Sequence, residues 1–122
     1  MHTILIVDDH AAIRAAVCEL FHSALTSVIC GQAANGAEAI EKARDLKPDL
    51  VVLDLSMPVM DGLETARALR ELFPTIPVVM LTAHYMEATK QAAEQVGIHA
   101  VFSKQQDLSP LLAHVRAMFQ TR

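Results

Sequence analysis

The sequence has no tryptophan, only one tyrosine and four phenylalanines among 122 residues. Because 52% of the residues are nevertheless apolar, the core must be built from aliphatic side chains and alanine. No apolar run approaches the roughly 20 residues of a membrane-spanning helix, and no signal peptide precedes the first strand. We therefore expect a cytoplasmic chain without membrane contact, with one domain over residues 1–122 and no second domain.

Positive charge is also scarce: 10 lysines and arginines stand against 14 acidic residues, giving a net charge of −4. Gripping a phosphate backbone requires clustered cations, so we expect no direct nucleic-acid contact by this domain. Neither a Walker A loop nor a G-x-G-x-x-G motif occurs, which argues against nucleotide binding.

Cysteine occurs only twice, as Cys18 in a helical pattern and Cys30 in a strand-like run. The two residues do not form a C-x-x-C motif, which argues against a redox or metal site of that kind. We expect both to be small buried hydrophobic residues in a reducing cytoplasm.

The sequence does contain five alternations of an apolar run with a helical pattern. Predicted strands lie at about 4–7, 27–33, 50–53, 78–81 and 100–103. Predicted helices lie at about 11–24, from the turn signal at 35–36 to about 46, at about 63–73 and 86–96, and from Ser109, read as an N-cap, onward. The first, third and fourth runs are continuously apolar, as in parallel strands covered on both faces. The pattern predicts an α/β fold, a (βα)₅ doubly wound parallel five-stranded sheet.

The predicted fourth helix has only small candidates for its buried face, with alanines at 88, 92 and 93 followed by Val96. It should bury less apolar area than the last helix, which carries several large side chains. We therefore expect it to be the element that is held least firmly.

Reactive polar residues follow four of the five apolar runs. They are Asp8 and Asp9, Asp54, Thr82, and Lys104 after Ser103. The ends of parallel strands meet at one sheet edge, where open α/β folds bind ligands. Each residue alone has a simpler explanation, such as a helix cap, a solvated loop carboxylate, a turn residue or a surface lysine.

Taken together, these residues predict a Mg²⁺-dependent phosphoryl-transfer site. Three carboxylates would repel one another without a cation, and carboxylate oxygens are ligands that Mg²⁺ prefers. A carboxylate can be the nucleophile that forms an acyl phosphate, while Lys104 and the metal neutralise the phosphoryl oxygens and Thr82 donates a hydrogen bond. A Mg²⁺-dependent small-molecule phosphohydrolase and a phosphorylation-independent interaction module remain alternatives.

Four segments carry a resemblance to a known family: ILIVDDH at 4–10, DLVVLDLSMP at 49–58, MDG at 60–62 and VMLTA at 79–83. Over essentially its whole length the sequence resembles a bacterial two-component response-regulator receiver domain. The Asp-Asp-His start and the absence of proline after Lys104 resemble the NarL/FixJ (LuxR-type) branch. The resemblance implies a flavodoxin-like strand order 2-1-3-4-5.

The resemblance also implies a role for each site residue. Asp54 is the implied phosphoacceptor, and Mg²⁺ is bound by Asp9, Asp54 and the Ser56 backbone carbonyl, with Asp8 acting mainly through a coordinated water. Lys104 contacts the phosphoryl group, and Thr82 is the switch residue. The implied partners are a sensor histidine kinase as donor, a second copy as a homodimer on phosphorylation, and a C-terminal DNA-binding domain that controls transcription.

The sequence departs from the family pattern at two positions. Val101 stands where an aromatic residue is usual, and the neighbouring Phe102 should point to the opposite face of the sheet. Gln105 replaces a common proline. We therefore expect a weaker or differently routed switch. His84 and Ser56 flank the predicted site, and for His10 capping or solvation is the expected role.

Overall fold

The computed structural model describes residues 1–54, 62–83, 87–98, 100–104 and 108–120. Five strands alternate with five helices, as the sequence predicts. Their bounds are β1 His2–Val7, α1 Ala11–Ala24, β2 Val28–Ala33, α2 Gly36–Leu46, β3 Leu50–Asp54, α3 Gly62–Leu72, β4 Val78–Thr82, α4 Glu87–Gln95, β5 Ala100–Ser103 and α5 Ser109–Gln120.

The strands form one parallel sheet in the order β2-β1-β3-β4-β5, which confirms the predicted fold and strand order. Alternate residues of each strand supply two separate cores. Ile4 and Ile6 pack with α1 and α5 on one face, whereas Leu5 and Val7 pack with α2, α3 and α4 on the other. Among the described residues, no helix is long and apolar enough to cross a membrane.

Short polar and backbone contacts set the ends of several helices. Asn35 caps α2, because its side chain accepts a hydrogen bond of 2.9 Å from the Glu38 backbone N–H. Gly97 follows α4 with φ +84°, the left-handed conformation predicted for it. At α5 the predicted start is one residue late, since the Leu108 carbonyl already accepts a hydrogen bond from the Leu112 N–H.

The fourth helix is weakly anchored, as expected. Ala93 is its only fully buried residue, and Ala92 and the following Val96 are half-buried. The prediction was wrong for Ala88, which is exposed, because the helix turns that position away from the sheet.

Residues 101 and 102 lie on opposite faces of β5, as strand alternation predicts. Val101 packs against the core formed with α2, α3 and α4. Phe102 packs on the α1 and α5 side, with its ring edge-on to His114 at 5.5 Å between centroids. The aromatic ring of β5 therefore packs beneath α5.

Cys18 is buried as predicted, but the expectation of reduced cysteines was wrong, because Cys18 of α1 and Cys30 of β2 form a disulfide. α1 packs on the sheet face that Cys30 shares, so both side chains belong to one core cluster. Their Cα atoms are 5.8 Å apart, a separation that suits a disulfide. Sequence spacing alone could not reveal this, since the pairing depends on where α1 crosses β2.

The disulfide should stabilise the fold measurably. A cross-link between residues 12 apart restricts the unfolded chain and contributes about 3 kcal/mol in the chain-entropy model. We expect a thiol reductant to lower the free energy of unfolding, measured by urea denaturation, by an amount of this order. Cys30→Ala should be less stable than the oxidised protein and insensitive to reductant. Equal stability of the wild type with and without reductant would contradict the prediction.

Candidate functional site

The strand register places the predicted site residues at one edge of the sheet. Val7, the last residue of β1, pairs with Leu53 of β3. Asp8 directly follows β1, and Asp54 is the last residue of β3. Thr82 pairs with Ser103, and Lys104 follows immediately. The carboxyl ends of β1, β3, β4 and β5 therefore bring together the residues that the sequence analysis singled out.

Lys104 joins two buried carboxylates across this edge. Its Nζ lies 2.6 Å from Asp8 Oδ2 and 3.1 Å from Asp54 Oδ1. Asp8 and Asp54 are only 2% and 5% exposed, and the ammonium of Lys104 offsets the charge of these two buried carboxylates. The explanation of Lys104 as an ordinary surface lysine is therefore wrong.

The contacts of Lys104 shift the pKa values of two groups at the site. Burial by itself raises the pKa of Asp8, but hydrogen bonds from Lys104 and from His10, with the lysine charge, outweigh burial and hold this pKa below its usual value. Burial by itself lowers the pKa of Lys104, but Asp8 and Asp54 outweigh it and raise this pKa above its usual value. Asp8 and Lys104 are therefore both charged at neutral pH.

Thr82 is coupled to the lysine through the backbone. The Thr82 carbonyl accepts a hydrogen bond of 2.7 Å from the Lys104 backbone N–H. Thr82 itself is buried, at 2% exposure. A displacement of the end of β4 would therefore also move the residue that contacts Asp8 and Asp54.

Arg14 of α1 is a part of the site that the sequence analysis missed. Its guanidinium donates a hydrogen bond of 2.6 Å to the Asp8 backbone carbonyl and one of 3.1 Å to Gln32 Oε1. The Asp8 backbone N–H donates to the Ala33 carbonyl at 3.1 Å. The position of Asp8 is thus fixed from β2 and α1. Helical spacing from the acidic pair, one turn into α1, was the signal that could have found Arg14.

Asp8, Asp9 and His10 form the one group among the described residues in which three side chains could hold a metal ion. One ligand atom from each lies within 4.8 Å of the others.

Neither aspartate is the N-cap residue of α1. That residue is His10, whose carbonyl accepts the first helical hydrogen bond and whose side chain makes no cap bond. The Asp8 side chain instead accepts the His10 backbone N–H at 2.9 Å.

The donor set at this edge fits a hard divalent cation. Asp8 and Asp9 offer carboxylate oxygens, and Lys104 connects Asp54 to the same cluster. Three carboxylates with one ammonium leave two negative charges, which a divalent ion would neutralise. Ser56, His84 and Gln105 lie outside the described residues.

Comparison with known proteins identifies the family. The model of the response regulator receiver domain matches residues 4–116, so the chain belongs to the family of response regulator receiver domains. Domains of this family act in two-component signalling, in which phosphorylation activates the regulator.

Individual relatives carry this domain in different contexts. A putative transcriptional regulator of Pseudomonas aeruginosa is 40% identical over 118 residues, which are 97% of this chain and 56% of that protein. A protein-glutamate methylesterase/protein-glutamine glutaminase of Methanosarcina acetivorans is 40% identical over 97 residues, 80% of this chain and 28% of that protein. The chain therefore spans about half of one curated relative and little more than a quarter of the other.

A solved structure gives the same fold. A LuxR-family two-component response regulator from Aurantimonas matches with a TM-score of 0.91 at 27% identity, over 100% of this chain and 87% of that chain. The family is thus supported by sequence and by structure, while its members differ in what accompanies the receiver.

Replacing Lys104 should change the acid titration of Asp8. In Lys104→Met we expect the pKa of Asp8 to rise, because burial then acts without the opposing ammonium. A carboxylate whose pKa is lower in the folded than in the unfolded state stabilises the fold at pH values above the unfolded-state pKa. This stabilisation is lost as the pH falls through the folded-state pKa. The variant should therefore be less stable than the wild type at neutral pH but lose less additional stability on acidification, because its Asp8 no longer binds protons much more weakly in the folded than in the unfolded state.

The measurement is a carboxyl ¹³C NMR titration of Asp8 in metal-free buffer, with urea denaturation over the same acidic range. Lys90→Met, which removes an exposed lysine of α4, is the matched control and should leave the Asp8 titration unchanged. An Asp8 pKa that is the same in Lys104→Met and wild type would show that the lysine does not set it.

Proposed function

We propose that this domain is a phosphorylation-activated switch that accepts a phosphoryl group on Asp54. The observation that carries the proposal is the contact of the Lys104 ammonium with both Asp8 and Asp54 at the edge of the sheet. A lysine and a carboxylate cluster at this position match the chemistry of phosphoryl transfer, which needs positioning and charge neutralisation. Membership of the receiver family supports the same function.

In the proposed reaction an Asp54 carboxylate oxygen attacks the phosphorus of a phosphohistidine on a sensor histidine kinase. The new P–O bond forms as the P–N bond breaks, and the imidazole leaves with the bonding electron pair and takes up a proton. Lys104 contacts Asp54 before transfer, and its ammonium is placed to offset the negative charge of the transferred group. Hydrolysis of the acyl phosphate returns Asp54 to the carboxylate.

The proposed cation is Mg²⁺, held by Asp9, Asp54 and the Ser56 backbone carbonyl, with Asp8 acting through a coordinated water. When bound, Mg²⁺ supplies charge neutralisation for phosphoryl oxygens. The carboxylates of Asp8 and Asp9, together with Asp54 on the other side of Lys104, support this assignment.

Phosphorylation would be relayed by Thr82 towards α4 and β5. The backbone hydrogen bond between Thr82 and Lys104 links the end of β4 to the site. α4 buries only Ala93 fully, so a shift of this helix costs little packing energy. We infer that its surface changes on phosphorylation and presents an altered output or dimerisation face.

We further propose that residues 1–122 are the single receiver domain of a NarL/FixJ-type transcription regulator, which contacts DNA through a C-terminal domain. The sequence motifs and the LuxR-family structure support this branch. In the methylesterase relative, a different output accompanies the matched region. The receiver itself would be no turnover enzyme, because it would catalyse only its own phosphorylation and dephosphorylation.

Two other functions use the same fold. A small-molecule phosphohydrolase would share the acyl-phosphate chemistry, but its usual Asp-x-Asp after the first strand is replaced by the adjacent Asp8 and Asp9. A phosphorylation-independent interaction module would have no use for two buried carboxylates that need Lys104 to offset their charge. Both remain outcomes of the following test.

The test is to add Mg²⁺ and a small acyl phosphate to the whole chain and follow the intact protein by mass spectrometry. We expect one phosphoryl group per chain, because Asp54 is the single acceptor. Asp54→Asn should abolish the adduct, whereas Asp45→Asn, an exposed aspartate of α2, should leave it unchanged. Omitting Mg²⁺ or adding a chelator should prevent it.

The same experiment separates the alternatives. Repeated turnover of a phosphoester, without a lasting adduct, would favour the hydrolase. No adduct with the acyl phosphate and no binding of beryllofluoride in the presence of Mg²⁺ would favour the interaction module and remove the proposed switch.

Thr82→Ala should separate phosphorylation from its structural response. We expect the variant to form the adduct at Asp54 but to show smaller amide chemical-shift changes in α4 and β5, because the side chain that would relay the change is gone. Little change is expected at Phe102, whose ring packs beneath α5 on the opposite face of β5 from α4. Wild-type-sized shifts in Thr82→Ala, or a large rotation of Phe102, would contradict this route.

A further inference from the structure

The His10 imidazole points at the acidic pair, and its contacts with those two carboxylates orient it. Its Nδ1 lies 3.0 Å from Asp9 Oδ1 and 3.3 Å from Asp8 Oδ1. The side chain is 65% exposed and makes no cap bond to α1, so neither packing nor helix capping holds it there. Capping, one of the roles expected from the sequence, is therefore met by the His10 backbone alone.

The spacing of these atoms suits the coordination of one ion. Adjacent ligands in an octahedral site are about 3.0 Å apart when each lies about 2.1 Å from the ion. The separation of His10 Nδ1 from Asp9 Oδ1 equals that spacing, and Asp8 Oδ1 lies slightly further away. His10 Nδ1 therefore lies at coordination spacing from Asp9, the aspartate proposed to ligate the ion directly, while Asp8, proposed to act through a coordinated water, lies beside it.

We propose that His10 supplies a nitrogen ligand to the divalent cation of this site and thereby favours Mn²⁺ or another first-row transition metal over Mg²⁺. The inference rests on the proposed function, because it uses the cation site formed by the acidic cluster. Imidazole binds transition metals well, whereas Mg²⁺ prefers oxygen ligands and retains water. The carboxylates thus bind a divalent cation, and His10 determines which cation is preferred.

The competing explanation is a simple ion pair between His10 and the two carboxylates. Such a pair on an exposed side chain contributes little to stability, and it supplies no nitrogen ligand that would favour one metal over another. The two explanations therefore differ in the nitrogen ligand itself, which spectroscopy can detect directly.

The experiment adds Mn²⁺ to the whole chain and measures electron spin-echo envelope modulation, which reports ¹⁴N nuclei bound to the ion. We expect a nitrogen coupling in the wild type that is lost in His10→Ala. His22→Ala, which removes an exposed histidine from the last turn of the same helix, is the matched control and should keep the coupling. Circular dichroism checks that each variant is folded.

Competition binding gives a second readout. Loss of the nitrogen ligand should weaken Mn²⁺ binding by roughly tenfold or more, the size of effect that losing a supporting group has at metal sites, and leave Mg²⁺ binding nearly unchanged. Equal losses for the two ions would overturn the proposed preference.

Three further results would overturn the inference. Mn²⁺ that binds without a nitrogen coupling in the wild type, or with one that persists in His10→Ala, removes His10 as a ligand but leaves phosphorylation of Asp54 intact. An absence of any Mn²⁺ or Mg²⁺ binding would remove the cation site itself and contradict the proposed function as well.

Discussion

The buried ion pairs of Lys104 with Asp8 and Asp54 are the interaction on which the site depends. A buried carboxylate without a partner is strongly destabilising, so two of them at neighbouring strand ends require a cation between them. Lys104 directly follows β5, whereas Asp8 directly follows β1. Their contact joins two residues that are 96 positions apart in the sequence. The fold and the charge balance of the site therefore depend on each other, because the strands must pair in this order for Lys104 to reach the buried carboxylates.

Much of the fold and the site could be predicted from the sequence because the fold is locally consistent. Continuous apolar runs indicate the parallel strands, and the polar residue after each run indicates the site edge, so the sequence pattern alone groups Asp8, Asp54, Thr82 and Lys104. The side-chain alternation of Val101 and Phe102 follows in the same way, since one residue of a strand determines the face of the next. These features depend on short-range pattern and on the geometry of a parallel sheet.

The features that were missed depend on how elements cross. The disulfide between Cys18 and Cys30 needs α1 to lie over β2 at one particular height, which periodicity does not specify. Arg14 contacts the Asp8 carbonyl for the same reason, and the side chain of His10 turns to the carboxylates instead of capping its helix. Ala88 was placed on the wrong side of α4, where a stripe of small residues leaves the rotation of a helix poorly determined.

The shallow burial of α4 has an evolutionary consequence. Six of its nine residues are exposed and only Ala93 is fully buried, so substitutions along this helix change few packed contacts. Exposed positions of this kind usually tolerate replacement within about 0.5 kcal/mol. A lineage could therefore change the outer face of α4, which is the proposed output surface, while the residues at the sheet edge and the stability of the domain stay nearly the same.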